Sequence, residues 1–454
     1  MSIRKRLLLF AILFAAVSLV ALLFAARPLS SDYSLRPLGA VRLGELSDTG
    51  SDAEDADSGE GSPDEEGEEE EGEESDDEAD PSSGERRGRG LPREWVTRTD
   101  KRLSEPVSVR QGDLLAVISD RAVVSIPRHD YAALGDGIVA TGNPDTEASG
   151  SSLVATVTGE TFLVEQAERI WLDGGRVLAL ADGGRRAADI SREISVPGPE
   201  QTSDEEIVTA LGGETQDSEN GGQEGLDIGS RVAPEWFTLP GPVTAAAPVA
   251  GATAVGDALG GITLVQGDDI SRRFKLLASE AQGTILSLAA SGRQSEEFPA
   301  TLYAVGGYEP SKLFRLELTR DGDDGTLEDL SLQSTAEVEL PGSVNTPVHV
   351  RVGDDRVMLA AGGALLAYNR DLEPVAQRSF DSPIGDIGFL AGGRLVFAQL
   401  EQREGSKVDV FYADGLEDMY SLSFPREIDS IRAVDGALVT ADDREVVVYG
   451  EVFR

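Results

Sequence analysis

The feature that most constrains the fold is a short hairpin unit that recurs from residue 107 to the end of the chain. Each unit has a turn rich in Gly and Asp, an apolar run of five or six residues, a second turn and a second strand. The glycines and aspartates supply the positive φ angles that tight hairpin turns require. Five units are clear, at 112–126, 173–190, 353–368, 392–412 and 435–449, and weaker copies lie at 153–164, 252–265 and 302–318.

The spacing of the units predicts how they assemble. The first strands of the last three units begin at 357, 395 and 437. A period of about 40 residues, built only of strands, is typical of four-stranded propeller blades. A β-sandwich is the alternative, but its seven short strands need only about 100 residues, so about three such domains in series would be required.

We therefore predict an all-β fold, a seven- or eight-bladed β-propeller over residues 105–454. Eight hairpin units favour eight blades, although two of them, at 153 and 177, lie unusually close together, which suggests a truncated unit. A strand near Val107 is expected to pair with the last strand, at 451–453, and close the ring.

The units resemble a known class of repeats. The run at 356–376, Arg-Val-Met-Leu-Ala-Ala-Gly-Gly-Ala-Leu-Leu-Ala-Tyr-Asn-Arg-Asp-Leu-Glu-Pro-Val-Ala, is similar to repeats of quinoprotein-like and WD-repeat β-propellers. The Gly-His and Trp-Asp pairs of WD repeats are absent, and Trp95, Trp171 and Trp236 do not recur at the blade period as quinoprotein docking tryptophans do. The resemblance therefore implies a fold and does not specify a cofactor.

The resemblance also implies a mode of action. Bacterial binding relatives of this type are envelope scaffolds that present a propeller face to other proteins. They are usually held at the membrane by a lipidated cysteine. This chain has no cysteine, so an anchor helix would have to replace the lipid.

The N-terminus has the features of such an anchor. Arg4, Lys5 and Arg6 precede an apolar run from Leu7 to Ala26, in which Ser18 is the only polar residue. A helix of this length spans about 30 Å, the thickness of the hydrocarbon core of a bilayer. Residues 1–27 are therefore predicted to be a cytoplasmic basic tip and a single transmembrane helix.

A cleaved signal peptide is the alternative interpretation of the same segment. Its apolar run is usually only about 7–15 residues long, and the bulky Leu23 and Phe24 disrupt a small-x-small cleavage pattern here. Since a basic cluster favours the cytoplasmic side, we predict a cell-membrane protein with an extracytoplasmic propeller. Secretion after cleavage stays open.

Two segments are strongly acidic. Residues 45–85 contain 21 acidic side chains and no basic one. Such a composition cannot bury enough apolar surface to offset the entropy lost on ordering. Residues 28–104 are therefore predicted to be a disordered tether, with its acidic core at 45–85, that holds the propeller away from the membrane. The stretch 197–230 has nine acidic residues and no basic one, and is predicted to be a loop inserted between blades.

Composition also excludes several functions. A formal net charge of −42 argues against binding to nucleic acid, which depends on Lys and Arg displacing counterions. The absence of cysteine excludes disulfides, thiolate metal sites and a cysteine nucleophile. The sequence contains no Gly-x-Ser-x-Gly, phosphate-loop or His-Glu-x-x-His motif. We predict no catalytic, cofactor-binding or metal-binding residues, and no enzyme.

The few polar positions that stand out have simple structural explanations. His129 and Asp130 could form an acid–base pair, but they lie in a turn after a strand; His349 is expected to be a half-buried strand residue. The run 321–325 resembles half of a calcium loop, yet Gly325 and Leu332 occupy two ligand positions, so a turn is favoured. The remaining candidates are four arginines beside turns, expected either to form a basic ring on one face or, as we favour, to pair with aspartates of neighbouring blades: Arg176, Arg356, Arg394 and Arg444.

The resulting prediction is a membrane-anchored propeller that acts as a protein-binding or envelope-assembly scaffold. An extracytoplasmic enzyme acting in the central channel on a glycan or a quinone is the first alternative, and a structural surface protein is the second. An enzyme is expected to bring several acidic residues, or one Asp or Glu with Arg and His, together in the mouth of the channel. A scaffold is expected to expose an apolar or aromatic patch on one face.

Overall fold

A computed structural model of the chain describes residues 33–41, 43, 103–119, 123–143, 150–194, 230–277, 283–291, 300–307, 311–320, 327–341, 348–434 and 436–452. These residues form eight β-sheets, and each sheet is one blade of a β-propeller. The predicted all-β propeller is confirmed, and the number of blades is eight. None of the described residues belongs to a helix long and apolar enough to cross a membrane, and the predicted anchor at 7–26 lies outside them.

The first strand of the chain, β1 (Ser34–Val41), belongs to the last blade. Blade 1 consists of β2 (Val107–Gln111), β3 (Leu114–Ile118) and β4 (Val123–Pro127). Blade 2 contains β5 (Ala133–Gly135), β6 (Ile138–Gly142), β7 (Ser152–Thr156) and β8 (Thr161–Val164). Blade 3 contains β9 (Arg169–Asp173), β10 (Arg176–Ala181) and β11 (Arg186–Asp189). Two later strands join blades 2 and 3. In blade 2, β12 (Ser230–Val232) pairs in parallel with β8, and in blade 3, β13 (Phe237–Thr238) pairs with β11.

Blade 4 consists of β14 (Val243–Val249), β15 (Ala252–Asp257), β16 (Gly261–Gln266), β17 (Asp269–Ile270) and β18 (Phe274–Lys275). Blade 5 consists of β19 (Ile285–Ala290), β20 (Ala300–Gly306), β21 (Lys312–Arg320) and β22 (Leu330–Glu339), with a 3₁₀ turn at Leu327–Asp329 before β22. Blade 6 consists of β23 (Val348–Val352), β24 (Arg356–Ala361), β25 (Ala364–Asn369) and β26 (Pro374–Ser379). Blade 7 consists of β27 (Ile384–Leu390), β28 (Leu395–Glu401), β29 (Ser406–Tyr412) and β30 (Asp418–Phe424). Blade 8 consists of β31 (Ser430–Val434), β32 (Ala437–Ala441), β33 (Val446–Val452) and the N-terminal strand β1.

The innermost strand of each blade contacts the innermost strands of the two neighbouring blades. In ring order these strands are β2, β5, β9, β14, β19, β23, β27 and β31, and β31 contacts β2 again. The ring is therefore closed, and its innermost strands border the central channel.

Apolar packing between blades holds the ring together. In β24, Val357 and Leu359 belong to the buried cluster shared with blade 5, while Met358 and Ala360 belong to the cluster shared with blade 7. Side chains alternate between the two faces of a strand, so a strand between two neighbours must be apolar on both faces. Each fully buried Val, Leu or Met contributes about 1.5–3 kcal/mol.

All eight predicted hairpin units are present. Seven of them form the second and third strands of a blade. The unit at 153–164 instead forms the third and fourth strands of blade 2, whose second strand is β6. This shift explains its short distance from the unit at 177. The short blade is blade 1, in which the described residues form only three strands.

The predicted ring closure is wrong. Val107 begins β2, the innermost strand of blade 1, and pairs with β3. The strand that closes the ring is β1, which pairs antiparallel with β33 from Ser34 opposite Val452 to Val41 opposite Val446. Blade 8 thus combines strands from the two ends of the described chain.

The predicted tether needs correction for the same reason. Residues 33–41 and 43 fall within 28–104 but belong to the folded ring, where Leu43 is buried in a cluster with Val107 and Val109. The backbone amide of Leu43 also donates a hydrogen bond to Gln111 Oε1 (3.1 Å). Residues 44–102, which include the acidic core, lie outside the described residues. Both ends of this segment are attached to the propeller, so it is an insertion between β1 and β2.

The direction of β1 defines two faces. The proximal face, where β1 begins, is formed by the turns between the first and second strands of each blade, such as 353–355. The distal face, where β1 ends, is formed by the turns between the second and third strands, such as 402–405 and 442–445. Consequently residue 33 lies at the proximal face and the insertion 44–102 begins at the distal face.

One turn of the distal face requires glycine. Gly405 has a φ of 96°, and a Cβ atom there would meet the backbone carbonyl of Phe424. We expect Gly405→Ala to lower the free energy of unfolding by about 3 kcal/mol, from left-handed strain plus steric overlap. Gly112 has a φ of 51° with open space around its Cβ position, so Gly112→Ala should cost only about 1 kcal/mol. Chemical denaturation measures both, and equal losses would contradict the steric argument.

A buried hydrogen bond secures the ring closure. Tyr33 Oη donates to Glu451 Oε1 (3.1 Å), and the amide of Ala391 in blade 7 donates to the same oxygen (2.7 Å). Burial and the Glu451 carboxylate raise the pKa of Tyr33 far above its usual value, so the hydroxyl stays protonated and can donate.

We expect Tyr33→Phe to lower the free energy of unfolding by about 1.5–3 kcal/mol, the contribution of a hydrogen bond to a charged group. Tyr368 is the matched control because it is equally buried, at 4% exposure, and its hydroxyl makes no hydrogen bond to a described residue. Tyr368→Phe should therefore change the free energy of unfolding by less than about 0.5 kcal/mol. Equal effects in urea denaturation would show that Tyr33 acts only through its apolar ring.

Candidate functional site in the central channel

The channel wall differs in charge from the rest of the chain. The eight innermost strands carry four arginines and two aspartates, whereas the whole chain has a formal net charge of −42. Side chains on these strands lie beside the channel, so the channel wall is cationic inside an acidic protein.

Charged side chains of three consecutive blades meet at one aspartate. Asp386 in β27 accepts from Arg351 in β23, with an Oδ1–Nη2 distance of 3.2 Å. Its other oxygen, Oδ2, lies 2.9 Å from Nη1 of Arg432 in β31. The aspartate side chain is 15% exposed, and those of Arg351 and Arg432 are 45% and 34% exposed. The carboxylate is thus largely enclosed, while the two arginine side chains are partly exposed to solvent.

Local structure explains why these residues meet. Arg351 and His349 are two positions apart on β23, so they share one face of the strand. A bulge between Ile384 and Asp386 interrupts the pairing of β27 with β28, and such bulges redirect side chains. The bulge leaves Ile384 and Ile387 in the apolar core between blades and places Asp386 between the two arginines.

His349 lies beside this cluster. It is half-buried in β23, as the sequence predicts. Burial lowers the pKa of its imidazole, and the Asp386 carboxylate and a hydrogen bond with the backbone of Gly385 oppose that shift. Its Nε2 atom is buried and has no hydrogen-bond partner.

A further arginine stands on the next innermost strand. Arg110 in β2 lies 3.8 Å from Asp429, measured between Nη2 and Oδ1. Asp429 also accepts a hydrogen bond from the amide of Gly112 (2.6 Å). Arg110 therefore has a carboxylate of its own, and the excess positive charge of this part of the wall lies on Arg351 and Arg432.

The chemistry of this arrangement suits anion binding. Two guanidinium groups share one carboxylate, so the Arg351–Asp386–Arg432 group keeps one positive charge in excess. Each guanidinium carries five N–H donors in a planar fork that matches carboxylate or phosphate oxygens. The described residues contain no cluster of His, Asp and Glu that could hold a metal ion.

The other arginines singled out in the sequence do not form a ring on one face. Arg176, Arg356 and Arg394 lie at the proximal turns, whereas Arg444 lies in a distal turn. Arg356 pairs with Asp414 of the neighbouring blade 7 (2.6 Å), which confirms the predicted pairing across blades for this arginine. Arg176 pairs instead with Asp189 of its own blade (3.3 Å).

The remaining sequence candidates do not join the channel cluster. His129 and Asp130 lie between β4 and β5, and the His129 backbone amide donates to Thr141 Oγ1 (2.8 Å). The structure gives no hydrogen bond between the His129 and Asp130 side chains, both of which it describes. The run 321–325 lies outside the described residues. The sequence did not predict the channel cluster.

The apolar patch expected of a scaffold is not found on the described surface. Among the described large hydrophobic residues, Val375 alone is exposed, at 40%. The exposed surface of the described residues is therefore mainly polar and charged.

The distal face is stabilised by a buried ion pair. Asp257, at the end of β15, accepts from Arg273 Nε (2.6 Å) and Nη2 (2.9 Å). It also accepts from the backbone amides of Leu259 and Gly261. Burial alone would raise the pKa of Asp257, but the bonds from Arg273 and the two amides outweigh it and hold the pKa below its usual value.

This ion pair gives a pH prediction. Because the folded state lowers the pKa of Asp257, its stabilisation is present above the unfolded value of about 4 and is lost as pH falls through the folded value. We expect Asp257→Asn to lower the free energy of unfolding by about 3 kcal/mol at pH 7 and to flatten the loss of stability below pH 4. Denaturation curves at pH 7 and at about pH 3 measure this. A variant that keeps the full pH dependence of the wild type would contradict the assignment.

Comparisons with known proteins find similar solved structures but no matching family. No protein-family model matches the sequence, and no curated protein matches it either. Solved structures that are similar include BamB from Moraxella catarrhalis, with 14% identity, coverage of 77% of this chain and 94% of that one, and a TM-score of 0.47. The WD40 β-propeller domain of Doa1 has 12% identity, the same two coverages and a TM-score of 0.39.

A third similar structure is BBS1N in complex with ARL6DN, with 12% identity, coverage of 69% of this chain and 86% of that one, and a TM-score of 0.42. At these identities the likeness concerns the fold alone. The β-propeller fold that the resemblance to quinoprotein-like and WD-repeat propellers implies is the fold that the described residues form.

Proposed function

We propose that this chain is a protein-binding scaffold, held at a membrane by residues 7–26 and presenting the distal face of its propeller to partners. The observation that carries the proposal is the direction of β1. This strand begins at the proximal face with Ser34 and ends at the distal face with Val41, so the chain segments before and after it leave from opposite faces.

The distance from the apolar segment to the ring is short. Six residues, 27–32, separate Ala26 from Tyr33, and six residues span at most about 20 Å when fully extended. If residues 7–26 lie in a membrane, the proximal face is therefore held close to it. The distal face, with the acidic insertion 44–102, then faces away from the membrane and is accessible to other proteins.

The surface and the closed ring support binding. Eight blades that share apolar clusters form a rigid platform, on which turns and loops present polar groups in fixed positions. The cationic channel wall adds a site that is complementary to acidic groups. We extend the proposal to the predicted location, with the propeller on the extracytoplasmic side.

An enzyme acting in the channel is the second candidate, because Asp386, His349 and two arginines do come together there. Two features favour binding over catalysis. Both carboxylate oxygens of Asp386 are engaged by arginine, and the free nitrogen of His349 is buried, so neither group is open to a reacting atom.

The chain has no natural cysteine, so single introduced cysteines allow a direct test. Asp354→Cys lies in a proximal turn and Glu404→Cys in a distal turn of the adjacent blade; both wild-type side chains are exposed carboxylates. Each variant is labelled with a benzophenone and irradiated in native membranes. We expect protein adducts, identified by mass spectrometry, from position 404, and lipid adducts or none from position 354.

The orientation is checked separately. Each variant is labelled with a fluorescent donor and reconstituted into vesicles that contain acceptor-labelled lipid. The faces are roughly 20 Å apart, since a blade strand of six residues rises about 3.3 Å per residue, so energy transfer should be clearly stronger from position 354. Equal transfer from the two positions, or protein adducts from position 354 only, would contradict the proposal.

A further inference from the structure

We propose that the channel wall formed by Arg351, Asp386 and Arg432 is a binding site for an acidic segment of a partner protein, whose side-chain carboxylates bridge the two guanidinium groups. This inference rests on the proposed function, since it names the chemistry of the partner that the scaffold binds.

The first argument is the ratio of charges. Each of two other ion pairs between blades 6 and 7 joins one arginine to one aspartate: Arg356 with Asp414 (2.6 Å), and Arg378 with Asp418 (2.7 Å). The channel group instead places two arginines on one aspartate. A second carboxylate would balance the remaining charge and accept from the unused N–H donors, which is the bidentate geometry that guanidinium groups favour.

The second argument is accessibility. In the two ordinary pairs the aspartate is the exposed partner: Asp414 and Asp418 are 87% and 71% exposed, whereas Arg356 and Arg378 are 23% and 33% exposed. Here the shared carboxylate is 15% exposed while the arginines are 45% and 34% exposed. The excess charge is therefore on the side that a ligand entering the channel would reach.

The third argument is that the neighbouring histidine does not use the remaining N–H donors. The Nε2 atom of His349 is buried and has no hydrogen-bond partner, so it accepts from neither arginine. The N–H groups of Arg351 and Arg432 that Asp386 does not engage therefore remain for an external acceptor. The protein partner of a scaffold supplies such acceptors through acidic side chains.

The fourth argument concerns specificity. The chain as a whole is strongly acidic, so it repels acidic peptides at long range. At about 0.15 M salt charges more than roughly 8 Å apart are screened. A peptide that binds under these conditions must do so through nearby cationic groups, and the described inner strands supply them.

The test measures binding of a fluorescein-labelled peptide of alternating Glu and Gly to the full-length protein in detergent, by fluorescence anisotropy at about 0.15 M salt. Arg351→Gln and Arg432→Gln should each weaken binding about tenfold, since a hydrogen bond to a charged group contributes about 1.5–3 kcal/mol. The matched control is Arg426→Gln, which removes an arginine that contacts Asp442 and Asp443 at the distal face. It should leave binding unchanged.

A variant that is expected to strengthen peptide binding distinguishes a ligand site from a group of ion pairs that only links the blades. Asp386→Asn removes the internal competitor for both arginines, so peptide binding should strengthen by about threefold or more, because a lost carboxylate charge leaves both guanidinium groups free. If these ion pairs only link the blades, Asp386→Asn will not strengthen peptide binding, and this result overturns the proposal. Thermal unfolding of each variant shows that any loss of binding is not a loss of folding.

Two further outcomes overturn it. Binding that is equal in the wild type and in the Arg351→Gln/Arg432→Gln double variant shows that the peptide binds elsewhere. Binding that appears only after the acidic residues of 45–85 are replaced by Ser shows that the chain's own segment, not a partner, is the ligand. Neither result affects the cross-linking test of the scaffold function, so the two proposals can fail independently.

Discussion

The pairing of β1 with β33 is the interaction on which the rest of the structure depends. A propeller is a ring of sheets, and each blade buries its apolar faces only against its neighbours. If blade 8 loses its outer strand, the ends of the ring lose the antiparallel ladder from Ser34 to Val41 and the buried bonds to Glu451. Because Glu451 also accepts from the amide of Ala391, the same closure fixes the position of blade 7 against blade 8.

Closure also determines which parts of the chain share a face. An antiparallel strand that enters at one face must leave at the other, so the segments before and after β1 are separated by the thickness of the propeller. An acidic segment that precedes the ring would hold the propeller away from a membrane. An acidic segment inserted between β1 and β2, as here, extends from the face opposite residue 33 instead.

The charge distribution follows a related logic. Acidic residues dominate the chain, and loops and insertions can carry them because water solvates them there. The innermost strands are partly enclosed, and charges on them need partners. Asp386 provides a partner for Arg351 and Arg432, but one carboxylate cannot neutralise both. This local excess of positive charge distinguishes the channel wall from the rest of the protein.

Much of the fold could be predicted from the sequence, because each hairpin is local. The turns at 174–175 and 392–393 and the apolar strands beside them lie within a few residues of each other, so their pattern is visible in the chain. The position of the unit at 153–164 within blade 2 was not predictable in this way. The second and third strands of this blade, β6 and β7, are joined by the long connection at 143–151. The tighter hairpin of β7 and β8 has the same sequence pattern as the other units, although these are the third and fourth strands.

The closing strand was missed for a different reason. The sequence of β1 contains Pro37 and Gly39, which weaken a strand pattern. Proline is nevertheless tolerated at the edge of a sheet, where its missing N–H faces away from the neighbouring strand. Residues 42–106, 65 residues without the hairpin pattern, then separate β1 from the repeats, so no local signal connects it with β33.

The sequence by itself determined the elements: eight apolar hairpins, a strongly acidic segment and the absence of cysteine chemistry. Only the tertiary structure decided which strand closes the ring, which segments share a face, and that Arg351, Asp386 and Arg432 meet. The physical reason is sequence distance. Asp386 lies 35 residues from Arg351 and 46 from Arg432, and contacts between separate blades arise only when the ring closes and brings their innermost strands together.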